Sequence, residues 1–588
     1  MRLRYLYIRN YPPLDEVGIC FNAPALPERE CAIRFVVGLN GSGKTHLLQA
    51  VAEIFLALAH QQCPHFPVTL AWELGKGDNR RTLVFDNSGH GGEEAWWQSE
   101  EIIPNDTRLN QWANLIGELH TGKKGWEELI RDGNWPGEGV GLPTAVLAYT
   151  TGCLDPWQWI FRRRTFGADN DIISEPEDYD VGSERPVGWS REREREYQAD
   201  LGSEESLTEV RRLRQLADER IAKEYDQDIC MLIDPILLKF ALLAVSLRQA
   251  MQDYRDYATD KTFQVLIQQI NENPDKIRGL RRIFSQVGWV WPVNVVLQVD
   301  FKLDAWGEGG AIKKRKWLQA LYSLANEVVR EPEPSTQRRL FFDLKASINP
   351  VETMVEYFGE IDACEYVGDA LQQFLGGAES SPFKAFKRLV DLHRQGLLSD
   401  IQIAVRKADV EDILLFDELS DGEREYLGRM ALLHLLEEET DVLLLLDEPE
   451  VHFNDKWKRE IVDIIDSVIK NCANDVLIST HSSITLTDVF NDEIVLFDKI
   501  DGQVVPVEIR TNTFGADPSE VMIRLFGVPD SIGERALEWL DTQLDRKWTK
   551  KDIPELEEIL KRVGPGFHRS ELRGILKGLK KKENATYD

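Results

Sequence analysis

Gly38-Leu39-Asn40-Gly41-Ser42-Gly43-Lys44-Thr45 is the stretch that decides how this chain is read. It fits G-x-x-x-x-G-K-[ST], and it stands where that pattern must, between a strand-like run at Cys31–Val37 and a helix-like one at Thr45–His60. Glycines in such a loop let backbone N–H groups curl around a phosphate, and the start of a helix adds a favourable dipole for an anion. Asn40, Gly41, Ser42, Gly43 and Lys44 are therefore expected to cradle the phosphates of a nucleotide. Lys44 would reach the β- and γ-oxygens, and Thr45 would ligate Mg2+. A glycine turn with a chance lysine is the alternative. The flanking strand and helix argue against it.

Leu443-Leu444-Leu445-Leu446-Asp447-Glu448-Pro449 is the second anchor. Four successive leucines suit a central parallel strand covered on both faces, and the strand ends in two acids. Asp447 is expected to hold Mg2+ through water, and Glu448 to polarise the attacking water as general base. Acids that merely terminate a strand are possible for one motif alone, and improbable beside a phosphate loop.

Leu419-Ser420-Asp421-Gly422-Glu423-Arg424 resembles the signature of ABC ATPases, which reads LSGGQ in transporters and is LSGGE-like in chromosome and repair members. Asp421 replaces the first glycine and Glu423 the glutamine. Ser420 and Gly422 keep a hydroxyl and an uncluttered backbone at the start of a helix, Glu425–Leu436. The resemblance implies that this helix end caps the γ-phosphate of ATP bound by the opposite subunit, giving a head-to-tail homodimer or higher homo-oligomer with ATP between protomers. Ser479-Thr480-His481-Ser482 looks like the switch in which His481 senses the γ-phosphate. Glu450–Asp455 occupies the place of the loop that runs along the dimer seam. The glutamine expected between the two halves has Gln158 as a candidate, in a poorly matching context. Arg9 and Asn10 resemble an adenine-framing region, with a plain strand end as the alternative.

Together these motifs look like the ABC-type ATPases of the SMC, RecF and OLD group, over roughly Met1–Thr151 and Asp400–Phe526. Three runs, Ser420–Leu432, Asp447–Asp455 and Trp457–Asp463, resemble more particularly the restriction-associated, Septu-type and retron-linked anti-phage defence ATPases. That resemblance implies a cytoplasmic, nucleotide-gated regulator working with a separate HNH-type nuclease subunit. In retron versions a reverse transcriptase with its RNA–DNA product joins as well. OLD-type nucleases carry a Toprim domain after the ATPase, whereas only a short helical tail follows Phe526 here. Nuclease activity is not expected in this chain. The alternative is a DNA-repair or chromosome-maintenance ATPase that grips DNA directly, for which Lys313–Lys316 or Lys577 and Lys580–Lys582 would serve.

Composition sets the frame. With 588 residues the chain exceeds a single core, and 43% hydrophobic and 29% charged residues suit a soluble protein. The net charge of −30 argues against unspecific binding to nucleic acid. No run approaches the roughly 18–20 apolar residues of a membrane helix. Seven scattered cysteines fit a reducing cytosol. His60, Cys63 and His65 lie close in sequence but lack a fourth metal ligand, and packing at a helix end explains them better.

The expected architecture is an α/β P-loop NTPase domain of ABC type with a mixed sheet. Residues 1–190 and 400–526 would form its two halves. A large, mainly helical insertion would occupy 191–399, with at most a short coiled-coil stalk, and a helical tail 527–588 would offer a partner-docking element or a simple cap.

Overall fold

The computed structural model describes residues 1–21, 29–89, 94–130, 134–167, 229–256, 268, 280–300, 318–348, 364–407 and 413–584, apart from 138, 319, 333–334, 336, 378–380 and 395. Two compact units divide the chain, Met1–Gly515 and Ala516–Asp588. The break falls ahead of the boundary expected at 527.

The site rests on a seven-stranded sheet. Its members are β1 (Ala32–Gly38), β2 (Ala145–Thr150), β3 (Cys230–Ile233), β4 (Val442–Asp447), β5 (Asp475–Ser479), β6 (Ile494–Ile500) and β7 (Gln503–Val507), in the spatial order β7-β6-β1-β5-β4-β2-β3. All neighbours run parallel except β6 and β7. The sheet is therefore mixed, as expected. Every residue of β1, β2, β4 and β5 is buried, which is why these strands read as continuous apolar runs. Leu443, Leu444 and Leu445 are wholly covered, each contributing about 1.5–3 kcal/mol relative to exposure. Register then does the positioning: Asp447 at the end of β4 pairs with Ser479 on one side and Thr150 on the other. The ligand-binding edge of such a sheet is the edge where its parallel strands end.

Helix α1 (Lys44–Ala59) follows β1 directly, and twelve of its sixteen residues are buried. A helix apolar all round must be covered all round. It shares one core with the site sheet and with a second, antiparallel sheet ordered Val17–Cys20, Arg2–Ile8, Val68–Leu74, Arg81–Asp86, Ala95–Ser99 and Glu127–Glu128. Phe55 of α1 meets Trp72 of that sheet edge-on at 5.5 Å.

Among the described residues of the insertion, helix exceeds strand. The insertion holds helices at Pro235–Asp256, Leu280–Gln286, Val367–Gly376 and Pro382–Arg394, but also a five-stranded antiparallel sheet. That sheet is ordered Glu327–Arg330, Gln337–Asp343, Trp289–Asp300, Leu398–Lys407 and Ile413–Leu415. The cause is period-two burial, with Val295, Leu297 and Val299 facing the core in alternation, and Ile401, Ile403 and Val405 likewise. The fourth strand of this sheet crosses the boundary placed at 399. Residues 191–228, the start of the expected insertion, lie outside the described residues.

The second unit is helical: Pro518–Phe526, Glu534–Asp545, Ile553–Arg562 and Phe567–Asn584. Leu540, Leu556, Leu560 and Leu572 form its small core. Among the described residues no helix is long and apolar enough to cross a membrane.

Candidate nucleotide site

The phosphate loop bends as its glycines require. Gly41 and Gly43 take positive φ (74° and 86°), and a Cβ on Gly43 would come within 2.9 Å of the Leu14 side chain. Ser42 is buried, and its hydroxyl has no hydrogen-bond partner among the described residues. Asn40 and Gly41 lie exposed on the rim. Lys44 Nζ donates to the carbonyls of Gly38 at 3.0 Å and Leu39 at 3.2 Å, so its ammonium lies over the loop's interior. Burial pushes the Lys44 pKa down, while the carboxylates of Glu448 and Asp447 oppose that shift.

Asp447 sits at the centre. Thr45 Oγ1 donates to its Oδ1 at 2.9 Å and Ser479 Oγ at 2.6 Å, while Thr150 Oγ1 donates to its Oδ2 at 2.9 Å. Three hydroxyls offset the desolvation of a carboxylate that is only 4% exposed. The donor set beside the loop is thus one carboxylate and hydroxyl oxygens, hard ligands of the kind Mg2+ takes while keeping much of its water shell. Thr45 and Asp447 fit such an ion.

Glu448 stands next, in the left-handed region (φ 51°) where a β-carbon is costly. Its N–H donates to the Ser479 carbonyl at 3.1 Å. Its Oε1 lies 3.2 Å from His481 Nε2. This contact holds the carboxyl below the usual glutamate range, against the opposing effect of burial, and the Lys44 charge helps. About a third of the Glu448 side chain remains exposed, enough for water to reach it.

Lys44, Thr45, Asp447, Glu448 and His481 are thus joined in one group. Ser420 and Gly422 stand apart from it, at the start of α3 (Asp421–His434, named after α2, Leu154–Gly167). Ser420 is exposed and caps that helix. Its N–H and hydroxyl both donate to the Glu423 carboxylate, at 3.1 and 2.8 Å, in a capping box. A Cβ on Gly422 would lie 3.2 Å from the carbonyl of His452, so the helix start rests on the loop after Glu448.

Several participants escaped the sequence reading. Thr150 and Ser479 hold Asp447, and Thr151 Oγ1 donates to the Glu448 carbonyl at 3.1 Å. Only their place at strand ends hinted at this. Arg429, 3% exposed, donates to the carbonyls of Pro449 and Val451, to Tyr149 Oη at 2.7 Å and to Glu425 at 3.0 Å. It ties α3 to the loop that follows β4. Nothing local in the sequence marks it. Gln158 sits half-buried in α2, just past the Thr150–Gly152 turn.

The weaker candidates resolve differently. His65 Nδ1 meets Glu53 at 3.0 Å, Cys63 accepts from Asn87, and no group of three metal-ligating side chains occurs among the described residues. Lys313–Lys316 lies outside the described residues. Lys580 is paired with Glu557 at 2.5 Å.

Comparison with known proteins bears on part of the chain. Residues 372–488, which run through Ser420, Asp447, Glu448 and His481, match a family described as "AAA domain, putative AbiEii toxin, Type IV TA system". Over 80 residues the chain is 28% identical to "Retron Vc95 probable ATPase" of Vibrio cholerae serotype O1 biovar El Tor. That match covers 14% of this chain and spans only 15% of the length of that relative. Two solved structures align over most of both chains: an Smc head domain bound to the C-terminal domain of ScpA, from Pyrococcus furiosus (12% identity, 86% and 96% coverage, TM-score 0.29), and the SMC head domain from Thermotoga maritima (10% identity, 87% and 100% coverage, TM-score 0.28). Scores so low fall short of a shared overall architecture. Residues 372–488 resemble an AAA domain.

Proposed function

We propose that the chain binds ATP across a head-to-tail pair and hydrolyses it through Glu448, as the nucleotide-gated regulator of a bacterial anti-phage complex whose cutting is done by a separate nuclease. The observation that carries the ATPase part is the 3.2 Å contact between Glu448 and His481, beside the Asp447–Thr45 pair and under Lys44.

Lys44 and the loop N–H groups bind the phosphates, with the Ser42 hydroxyl, which has no partner among the described residues, available as a further donor. Mg2+, held by Thr45 and by Asp447 through water, would neutralise charge on the phosphate oxygens. Glu448 is a weak base by virtue of its low pKa. That suits a reaction with a loose transition state, in which orienting the water matters more than removing its proton early. His481 fixes the carboxylate's direction. Ser420 of a second copy would cap the γ-phosphate, a role its exposure and its place at a helix start support.

The defence role rests on the short match to a retron ATPase and on the resemblance in the runs around Ser420 and Asp447. An HNH-type nuclease subunit, and in a retron setting a reverse transcriptase with its RNA–DNA product, are the partners this reading proposes. The test is Glu448→Gln. It should abolish turnover while trapping ATP and a stable dimer in sedimentation, and the same variant should abolish phage protection in cells carrying the neighbouring genes. Continued turnover would refute the general-base assignment. DNA degradation by the purified chain alone would refute the division of labour.

A further inference from the structure

Two residues beyond Glu448 lies a second carboxyl, Glu450, which the scheme above does not use. It is 4% exposed. Its Oε1 accepts both the Thr480 hydroxyl and the His481 N–H, the latter at 3.3 Å. Thr480 Oγ1 in turn accepts the Ser482 N–H at 2.9 Å, so one oxygen of Glu450 anchors the whole turn that follows β5. Oε2 is buried with no hydrogen-bond partner among the described residues. Burial pushes the pKa of this carboxyl up. A half-satisfied buried acid is destabilising, and an apolar side chain would pack there at lower cost. The backbone on either side is fixed as well, because Arg429 of α3 holds the carbonyls of Pro449 and Val451.

We propose that Glu450 is a positioning residue: it pins the Thr480–Ser482 turn so that the His481 ring is aimed at Glu448, and it couples that aim to the helix that begins at Ser420. The inference rests on the ATPase reading above and adds a residue to it.

Steady-state kinetics of the full chain test it. Glu450→Ala should lower kcat by up to about 100-fold, the scale of loss from a misplacement of about 1 Å, with KM for ATP little changed because the phosphate loop is untouched. Glu450→Gln should restore most of the rate, since both bonds end on one oxygen and an amide carbonyl can accept both. In a His481→Ala background, Glu450→Ala should cost nothing further. Thr480→Val removes the same tie from the other side and should reproduce the loss, even if Glu450→Ala fails to fold. The proposal is overturned if the Glu450→Ala loss is as large without His481 as with it, or if Glu450→Ala or Thr480→Val turns over at the full rate. Glu448→Gln is the control: if that variant still hydrolyses ATP, the general-base reading has failed rather than this one.

Discussion

His481 Nε2 and Glu448 Oε1 lie 3.2 Å apart across the ends of two neighbouring strands, β5 and β4. The carboxylate accepts and the ring donates, which favours the ionised acid and lowers its pKa from the ordinary value of 4.5.

The sign of the pH dependence follows. Activity that needs ionised Glu448 is complete above the lowered pKa and is lost as pH falls through it. His481→Ala removes the largest lowering influence and leaves burial, which raises the pKa. The acid limb of kcat should therefore move to higher pH in His481→Ala. A limb that stays put, or moves to lower pH, would show that the contact does not set the ionisation of Glu448.

Asp447 is held by three hydroxyl donors and cannot lose its charge silently. Asp447→Asn keeps the shape but sets an amide against at least one hydroxyl. It should cost about 1–3 kcal/mol of stability and remove the Mg2+ dependence of nucleotide binding. Thermal denaturation and titration with a fluorescent ATP analogue, with and without Mg2+, check both parts. Undiminished Mg2+ dependence would exclude Asp447 as a ligand.

Glu423 engages both donors that a γ-phosphate from a second copy would need at Ser420. Glu423→Ala should weaken the isolated helix cap by about 0.5–2 kcal/mol, yet allow ATP to drive association at lower concentration in a Glu448→Gln background. Analytical ultracentrifugation decides. Weaker association would mean that Glu423 helps the assembly rather than competing with it.

Arg429→Leu should be among the most damaging substitutions outside the phosphate site. It leaves two carbonyls, Tyr149 and Glu425 without their shared donor, a loss of about 3–5 kcal/mol for a buried charged group. Arg429→Lys should recover only part of this, because an ammonium cannot match a planar fork that also lies 5.2 Å from the Tyr149 ring centroid and 4.9 Å from that of Phe453. Equal stability of Arg429→Lys and the unaltered chain would contradict the account.

What could be read in advance was whatever depends on spacing along the chain. The phosphate loop, the Leu443–Glu448 strand and the Ser479–Ser482 turn each carry their chemistry within a few residues, and the parallel strands gave themselves away by unbroken apolar runs. Thr150 and Arg429 could not be found that way. Thr150 meets Asp447 across 297 positions through strand register, and Arg429 meets Tyr149 across 280 through the packing of α3 on the sheet. The sheet of the insertion was out of reach for a related reason: Trp289–Asp300 pairs with Leu398–Lys407, more than a hundred positions later.

The order β6-β1-β5 has a consequence for how the protein is made. The strand that carries the phosphate loop is synthesised early, yet both of its sheet neighbours belong to residues 475–500. A nascent chain therefore bears Lys44 through more than four hundred residues of translation with both edges of its strand unpaired, a condition that invites premature pairing and chaperone capture. Any ribosome-bound or truncated fragment ending before β6 holds the loop but lacks the frame that aims it. Such a fragment should be inert towards ATP and short-lived in the cell.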